Sequence, residues 1–532
     1  MKKHVFGILM LLCTLNVTAQ NIHIQIPNPD MWSAQELEPY IGKTVIFDDP
    51  IVVCSNAYSG SYTVAPRRTF TPSNQALPNT PEYTSVVSRN AATSMSLTGF
   101  SGYHRCGEKI HNLTVRVKST SSLEWISGTW IGNTREEMEN TNVRRLVNID
   151  GCDSCLLICA MNLEYYLTAN TGSGSMGPST YAAHQIQRTK VNKALTLINA
   201  DAYGLVEIEQ GQEALAEIAS DLNAKLPGRH YTYINDGGSP SGTYTKSAFI
   251  YDANVLEPIG ALQELNTKVQ NRKKMMCFEH KLTGERFIYS INHFKAKSGA
   301  GSGLDADQGD GQGAFNNTRV IEAQAVIDHY RTRFAPAIKE NDILIMGDLN
   351  AYAKEDPIQR FIENGMVDLH RAFHADSSYS YQFGGLAGYL DHALCNSTLY
   401  KQVKGVTGFH INSDEQDYYT YDKSGDNSMF RSSDHDPVLV GLKLDSTITY
   451  DPTPTLNNIE VMAGESKELI IRNAFKDSQK SYYTIVSING LTIEHKEITS
   501  PYQEISLPEA AGLYLIFIYA DGKVYQKKFI VR

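Results

Sequence analysis

Between residues 151 and 445 the chain sets short, uninterrupted apolar runs beside a few stretches of helical period. Leu156 to Met161, Tyr203 to Val206, Phe287 to Ile291 and Ile343 to Met346 read as strands covered on both faces. Ala183 to Leu197 and Val320 to Arg333 space their apolar residues as helices do. Lys297 to Gly313, rich in Gly, Ser and Asp, reads as a flexible loop. Upstream, Lys43 to Phe47, Pro50 to Cys54 and Leu113 to Val117 alternate apolar and polar positions between turn-rich stretches. That pattern predicts a small all-β domain with a long loop around Pro66 to Asn90. After Thr449, Asp451-Pro452-Thr453-Pro454-Thr455 reads as a linker, and the short strands and turns that follow predict a β-sandwich ending at Arg532. The expected organisation is a signal segment over 1–19, a β-rich domain over 20–150 and a mixed α/β domain over 151–445. A linker over 446–456 and a β-sandwich over 457–532 complete it.

Composition narrows the class. A chain of 532 residues is too long for one ordinary domain. Lys2 and Lys3, the apolar run Phe6 to Leu15, and Val17-Thr18-Ala19 before Gln20 have the form of a secretory signal. That run is well short of the roughly 20 residues a membrane span needs, and no later run is long enough. An exported protein without membrane insertion is expected. The net charge of −10 argues against a protein that coats nucleic acid non-specifically. An enzyme that meets phosphates briefly through a metal can still be acidic. Of eight cysteines, Cys152 and Cys155 form a lone Cys-x-x-Cys, without the second pair a zinc site wants. A local disulfide and two plain thiols both remain open for them, and Cys159 is expected as a buried thiol.

Polar groups border the apolar runs of the middle domain. Asn162 closes the first and Glu207 the second; Asn292-His293 follows the third, and Asp348-Leu349-Asn350 the fourth. Asp391-His392 follows Tyr389-Leu390, and Ser433-Asp434-His435 precedes the run from Val438 to Leu444. Each alone is most simply a turn or a satisfied polar pair. Together they suit metal-assisted hydrolysis of a phosphodiester. A hard divalent cation needs one or two carboxylates and keeps its waters, a role that fits Glu207 with Asn162. The reaction also needs a base for water and donors for the phosphate oxygens. His435 is the natural base, Asp391 could hold its tautomer, and Asn350 and His293 are candidate donors.

These stretches resemble the endonuclease/exonuclease/phosphatase superfamily, and within it secreted bacterial nucleases. The resemblance rests on Ala160-Met161-Asn162-Leu163, Gly204-Leu205-Val206-Glu207-Ile208-Glu209 and Ile291-Asn292-His293-Phe294-Lys295-Ala296-Lys297. It continues through Asn316-Asn317-Thr318-Arg319, Gly347-Asp348-Leu349-Asn350, Tyr389-Leu390-Asp391-His392 and Arg431-Ser432-Ser433-Asp434-His435-Asp436-Pro437-Val438. It implies a four-layered α/β sandwich over residues 151–445, with Mg²⁺ or Mn²⁺ and in some members Ca²⁺. By resemblance, Asn162 and Glu207 would hold the metal, with Asp434 supporting it or the histidine. Asp348 and Asn350 would orient nucleophile and phosphate, and His293 would contact the phosphate near the leaving group. Lys295, Asn317 and Arg319 would meet the substrate, with DNA the first expectation and RNA the second.

The chain departs from that pattern at Gln210 and at Glu164-Tyr165-Tyr166, positions expected to lie away from the metal and the base. The N-terminal domain sits where related nucleases carry an OB-like module, with Tyr58, Tyr62 and Tyr103 available for stacking on bases. Tyr483 to Gly490, Leu507-Pro508, Ala511-Gly512-Leu513-Tyr514 and the ending Lys527 to Arg532 resemble the sorting domains of the Bacteroidetes type-nine secretion system, which implies contact with a secretion machinery or cell surface, and a surface-adhesion module is the alternative. A monomer is expected. A phospholipid or small-phosphate esterase is the alternative for the same fold, with Met275 to Phe278 as a candidate membrane-facing hairpin, and a catalytically inactive surface adhesin is the second alternative. Arg272-Lys273-Lys274 beside it could instead grip a nucleic-acid backbone.

Overall fold

The computed structural model describes residues 21–444 except 57–58, 133, 169–175, 238–243 and 266–271. It also describes residues 460–531 except 464–467, 473–480, 489–490, 500–501, 509 and 521–522. The expected signal segment and linker, and Tyr58, lie outside the described residues. The chain divides into two compact units, Met1–Thr449 and Tyr450–Arg532.

The apolar runs of the first unit form two mixed six-stranded sheets. One has the order Tyr231–Tyr233, Thr245–Asp252, Ala202–Glu209, Leu156–Tyr166, Val438–Leu442, Val403–Gly408. The other has the order Leu256–Glu264, Lys273–His280, Arg286–His293, Ile343–Asp348, Asp391–Asn396, Met366–Asp368. One core cluster draws on both sheets, with Leu156, Ile158 and Val206 from the first against Tyr289, Ile291 and Met346 from the second. The opposite face of the first sheet packs against the helices Tyr181–Ile198 and Glu213–Lys225. The opposite face of the second packs against Asn316–His329 and Asp356–Glu363. Burial on both faces is why these strands carry continuous apolar sequence. The sheets approach closely where Tyr289 reaches across to donate its hydroxyl to the Cys159 carbonyl, 2.7 Å away. Gly204 makes room for it, since a Cβ there would lie 2.4 Å from that hydroxyl.

The expected helices are present with shifted ends. Ala183 to Leu197 lies within Tyr181–Ile198, which Thr180 caps by accepting from Ala183 N. Val320 to Arg333 begins earlier, at Asn316, and passes into a π turn at Tyr330–Phe334.

In the N-terminal region, five strands close on themselves: Ile51–Val53, Ser61–Ala65, Met95–Thr98, Ser122–Ile131 and Lys109–Ser119. The loop expected over Pro66 to Asn90 is a correction: it holds the helices Pro72–Gln75 and Pro81–Thr93. Its Pro, Ser and Thr residues read as turn formers, but Pro81 sits in the first turn and the Thr80 hydroxyl caps Tyr83 N. The same residue types start helices.

The second unit pairs Glu460–Ala463, Glu468–Arg472 and Tyr502–Ser506 in one antiparallel sheet. Thr492–Ile498, Ser481–Ser487, Gly512–Ala520 and Lys523–Val531 form another. Leu469 and Ile471 from the first meet Ile485, Ile516 and Ile518 from the second in its core. Cys152 and Cys155 form a disulfide, and Cys159 is a buried thiol. Met275 to Phe278 lies in the buried strand Lys273–His280, so no membrane-facing hairpin forms there. Among the described residues no helix is long and apolar enough to cross a membrane.

Candidate active site

Strand register gathers the polar borders. His293 pairs with Asp348 and Asp348 with Asp391, so three neighbouring strands carry their functional residues in one row. Gly347 permits it: its φ is +118°, and a Cβ there would lie 2.1 Å from the Asn292 carbonyl oxygen. From the facing sheet, Asn162 Nδ2 donates to Asp348 Oδ2 at 3.2 Å. Asn350 closes the same carboxylate, its backbone N donating to Oδ1 at 2.9 Å and its Nδ2 to Oδ2 at 3.2 Å. His293 Nε2 lies 3.6 Å from Glu207 Oε1 and 3.7 Å from Asp348 Oδ2. Asn162, Glu207, His293, Asp348 and Asn350 therefore belong to one site.

His435 completes it. Its Nδ1 is 2.7 Å from Asp391 Oδ2, and its Nε2 is 4.0 Å from Asp434 Oδ2. The Ser380 hydroxyl donates to Asp391 Oδ2 at 2.7 Å and accepts from the backbone N–H groups of Leu390 and Asp391, each at 3.2 Å. Burial opposes a charge on His435, but Asp391, Asp434 and Asp348 outweigh it and hold the imidazole well above its ordinary range. His293 moves the other way. Burial, reinforced by Arg272 and by His435, keeps it well below that range and hence neutral.

The site is rich in carboxylates and in strain. Burial, with Asp434 and Asp348 nearby, pushes Glu207 up to about 7. Burial and Asp391 likewise push Asp348 up to about 7, against His435. Glu164, Glu207, Asn350 and Arg431 all have positive φ, between 48° and 58°. Such backbone is uncommon outside glycine and collects at functional sites. Here it has a visible use. The left-handed pair Glu164 and Tyr165 curls the chain so that Glu164 N donates to Asn162 Oδ1 at 2.9 Å and Tyr165 N to Glu207 Oε2 at 3.2 Å.

That curl corrects one expectation. Glu164-Tyr165 orients both expected metal ligands through its backbone, and the Glu164 carboxyl sits in the site's field. Burial, then Asp434, pushes it up to about 8, and Arg431 opposes them. Sequence reasoning grouped Arg272 with Lys273 and Lys274 and did not place it at the site, where its charge bears on Glu207 and His293 and its carbonyl accepts from His293 N at 2.8 Å. The run Arg272-Lys273-Lys274 was the available signal, but it did not say which cation faces the site. Lys273 and Lys274 are buried in ion pairs of 2.8 Å with Glu322 and 2.5 Å with Asp236, which leaves neither to grip a backbone.

The expected substrate residues separate. Lys295 is partly exposed, its ammonium 4.2 Å from the centre of the Phe315 ring. Asn317, also partly exposed, lies in the first turn of Asn316–His329. Arg319 is a correction: it is fully buried, and its guanidinium donates to the carbonyls of Ala314, Gln312 and Lys295 at 2.8, 2.8 and 3.2 Å. It ties down the loop before the helix. In the N-terminal region Tyr62 is buried against Phe100, while Tyr103 is exposed and stacks on Tyr418 at 4.3 Å.

A divalent cation fits these donors. Among the described residues Asp348, Asp391 and His435 place ligand atoms within 4.8 Å of one another. Asp391 Oδ2, however, already takes two hydrogen bonds, from His435 and Ser380. The side of Asp348 that faces Glu207, Asp434 and Asn162 offers hard oxygen donors whose mutual repulsion a cation would relieve. Among the described residues, Glu164 Oε2, Arg272 Nε and Arg431 Nε are buried without a hydrogen-bond partner.

Carboxylates and histidines gathered at the strand ends of two facing sheets are an arrangement suited to hydrolysis of phosphoesters. The family model described as Endonuclease/Exonuclease/phosphatase family matches residues 167–435, just over half of the chain, and the chain belongs to that family. Members of the family are hydrolases of phosphodiester bonds. Among solved structures, an endonuclease/exonuclease/phosphatase from Bacteroides vulgatus is 16% identical with a TM-score of 0.37, covering 55% of this chain and 99% of its own. The human Nocturnin catalytic domain with bound sulfate is 13% identical with a TM-score of 0.36, covering 54% and 94%. TDP2 of D. rerio, complexed with a single-strand DNA product, is 13% identical with a TM-score of 0.35, covering 54% and 99%. No curated protein matches the sequence.

Proposed function

We propose that the protein is an exported, divalent-metal-dependent nuclease that hydrolyses phosphodiester bonds of DNA, and secondarily RNA, to 5′-phosphate products. The observation that carries this reading is the His435–Asp391 pair at 2.7 Å, facing Asp348 and the carboxylates Glu207 and Asp434. Bound at Glu207 and Asn162, with Asp434 beside them, Mg²⁺ or Mn²⁺ would neutralise charge developing on the phosphate; a second, Ca²⁺-type site is compatible with the acidic surroundings. His435, oriented by Asp391, takes the proton of the attacking water at Nε2 once its raised imidazole has given up its own proton, so activity rises with pH. Asp348 and Asn350 hold the nucleophile's approach, and Arg272 and neutral His293 donate to the phosphate oxygens. Lys295 and Asn317, partly exposed beyond them, serve the flanking strand.

The two sheets with helices on their outer faces support reading residues 151–445 as the four-layered α/β sandwich. The closed five-strand ring of the N-terminal region supports an OB-like module. The exposed Tyr103–Tyr418 stack is its candidate contact for bases. The second unit is read as a β-sandwich for sorting or surface attachment, with the protein acting outside the cell as a monomer. Burial of Met275 to Phe278 removes the feature that favoured a membrane-lipid substrate.

The test is hydrolysis of supercoiled plasmid by purified protein lacking residues 1–19, with Mg²⁺, with Mn²⁺ and with EDTA, beside His435→Ala. Metal-dependent nicking that vanishes in the variant is expected. Intact plasmid with every metal, alongside turnover of a phosphomonoester or phospholipid, would replace the nuclease reading with an esterase.

A further inference from the structure

The N-terminal barrel is more than a neighbour of the hydrolytic site. Its Arg68, just past the strand Ser61–Ala65, reaches into residues 376–417 of the α/β region and pairs through Nη1 with Asp414 Oδ1 at 2.8 Å. The Asp414 side chain is 1% exposed, and its other oxygen accepts from the Tyr379 hydroxyl at 2.9 Å. The Arg68 guanidinium also lies over the Tyr379 ring, 4.2 Å from its centre. On its far side Tyr379 stacks flat on His410, with centroids 3.8 Å apart and planes 3° apart. His410 Nδ1 is 2.8 Å from Asp436 Oδ2, and Asp436 Oδ1 accepts from the backbone N–H groups of Asn412 and Ser413 at 2.8 and 2.9 Å.

Both halves of the His435–Asp391 pair hang on this stack. Ser380, next to Tyr379 in the chain, donates its hydroxyl to Asp391 Oδ2 and accepts from Asp436 N at its carbonyl, 2.8 Å away. Asn412 Nδ2 donates to the His435 carbonyl at 2.7 Å. A shift of Tyr379 therefore moves Ser380, and with it the anchor of the carboxylate and the backbone beside the imidazole. We propose that Arg68 of the N-terminal barrel is a positioning residue for the His435–Asp391 pair, acting through Asp414, Tyr379 and Ser380. The barrel in this view is part of the hydrolytic apparatus. A cleft of about 340 Å³ that Arg68 lines with Arg67, Lys109 and Tyr379 needs no ligand to explain its arginines, since Arg67 pairs with Asp30 and Arg68 with Asp414.

Without Arg68, Asp414 loses the nearest cation that, with His410 and Arg105, offsets the burial of its charge, and such a carboxylate relaxes by moving or by taking a proton. An ångström of displacement at the reacting groups is enough to cost rate. The inference rests on the hydrolytic reading of the site, so its test has one arm that needs activity and one that does not. Plasmid hydrolysis with Mg²⁺ is compared for the full chain, Arg68→Met, Arg68→Lys and Arg135→Met. Arg135 bridges the same two regions through Glu415 and Asp426 but does not touch Tyr379 or Ser380.

Arg68→Met is expected to lose kcat by about tenfold or more with KM within about twofold. Arg68→Lys should recover most of the loss, and Arg135→Met should keep wild-type kcat whatever it costs in Tm. In the second arm, hydrogen exchange of the peptides holding Asn412, Ser413 and Asp436 is expected to speed up in Arg68→Met. Exchange of the barrel strand Lys109–Ser119 should stay as in the wild type. Unchanged kcat and exchange in a folded Arg68→Met, or an equal loss of kcat in Arg135→Met, would overturn the proposal. If Arg68→Met does not fold, Tyr379→Phe replaces it, losing only the hydroxyl on Asp414, and the same two readouts decide. A wild-type chain inert on DNA would refute the nuclease reading and leave the exchange arm to judge the wiring.

Discussion

Asp391→Asn isolates the charge of the carboxylate from its position. The Ser380 hydroxyl accepts from two backbone N–H groups, so its own proton points at Asp391 Oδ2. An asparagine would therefore turn its oxygen, not its NH₂, toward Ser380 and His435 Nδ1. Geometry and tautomer are kept, and one negative charge beside the imidazole is lost. Unit charges about 4 Å apart at an effective dielectric of about 20 interact by about 4 kcal/mol. The imidazole gains part of a charge as it takes the proton from water, so about 2–3 kcal/mol of that is lost in the transition state, or about 30- to 150-fold in kcat. KM should stay within about twofold, because Asp391 does not reach the substrate. The pH profile supplies a second sign. The carboxylate raises His435, so its removal lowers the imidazole and moves the acidic limb of kcat/KM to lower pH. Steady-state hydrolysis of plasmid or a dinucleotide from pH 5 to 9 measures both effects. Wild-type kcat in Asp391→Asn, or an acidic limb that stays in place, would refute the assignment of His435 as the base held by Asp391.

Glu207→Gln should weaken Mg²⁺ binding at least tenfold by calorimetry and remove metal-stimulated hydrolysis, while the melting temperature without metal holds or rises, because one buried charge is gone. Glu164 is pushed up to about 8 and so is largely protonated below that pH; Glu164→Gln should match the wild type in Mg²⁺ affinity near pH 6.5 and fall behind it near pH 9. Lys190 has a fully buried side chain with its ammonium on the Phe430 carbonyl at 2.7 Å, and burial pushes it down to about 8. Between that value and its ordinary one the unfolded chain binds more protons, so stability should rise with pH through this window by up to about 3 kcal/mol. Lys190→Met should lack the rise in denaturant melts at pH 7.5, 9 and 10, and equal slopes in both chains would exclude the linkage. Tyr289→Phe removes a hydroxyl that crosses between the sheets and should cost about 1–2 kcal/mol in urea unfolding.

Continuous apolar runs and the polar residues that close them were legible along the chain because both follow from local physics. A strand buried on two faces must be apolar throughout, and its end is where a charge can reach water or a ligand. That reasoning reached Asn162, Glu207, His293, Asp348, Asn350, Asp391, Asp434 and His435, which the two sheets bring to one place. It failed where a residue's partner is distant in sequence. Arg319 looks like a substrate cation until its guanidinium is seen closed around three carbonyls of its own loop. Lys273 and Lys274 look exposed until Glu322 and Asp236 are found beside them.

Local pattern therefore determined the buried strands, two of the longer helices and the chemical inventory of the site, since each depends on neighbours within a few residues. Register and long-range contact decided the rest. The row His293–Asp348–Asp391 exists because three strands align to the residue, and a shift of one position would turn every side chain to the other face. Glu164 donates its backbone N–H to Asn162 through a left-handed backbone that no local preference of glutamate predicts. Arg68 meets Asp414 across 346 residues of chain. Such a contact is paid for by the packing of the whole first unit, and no window of sequence contains it.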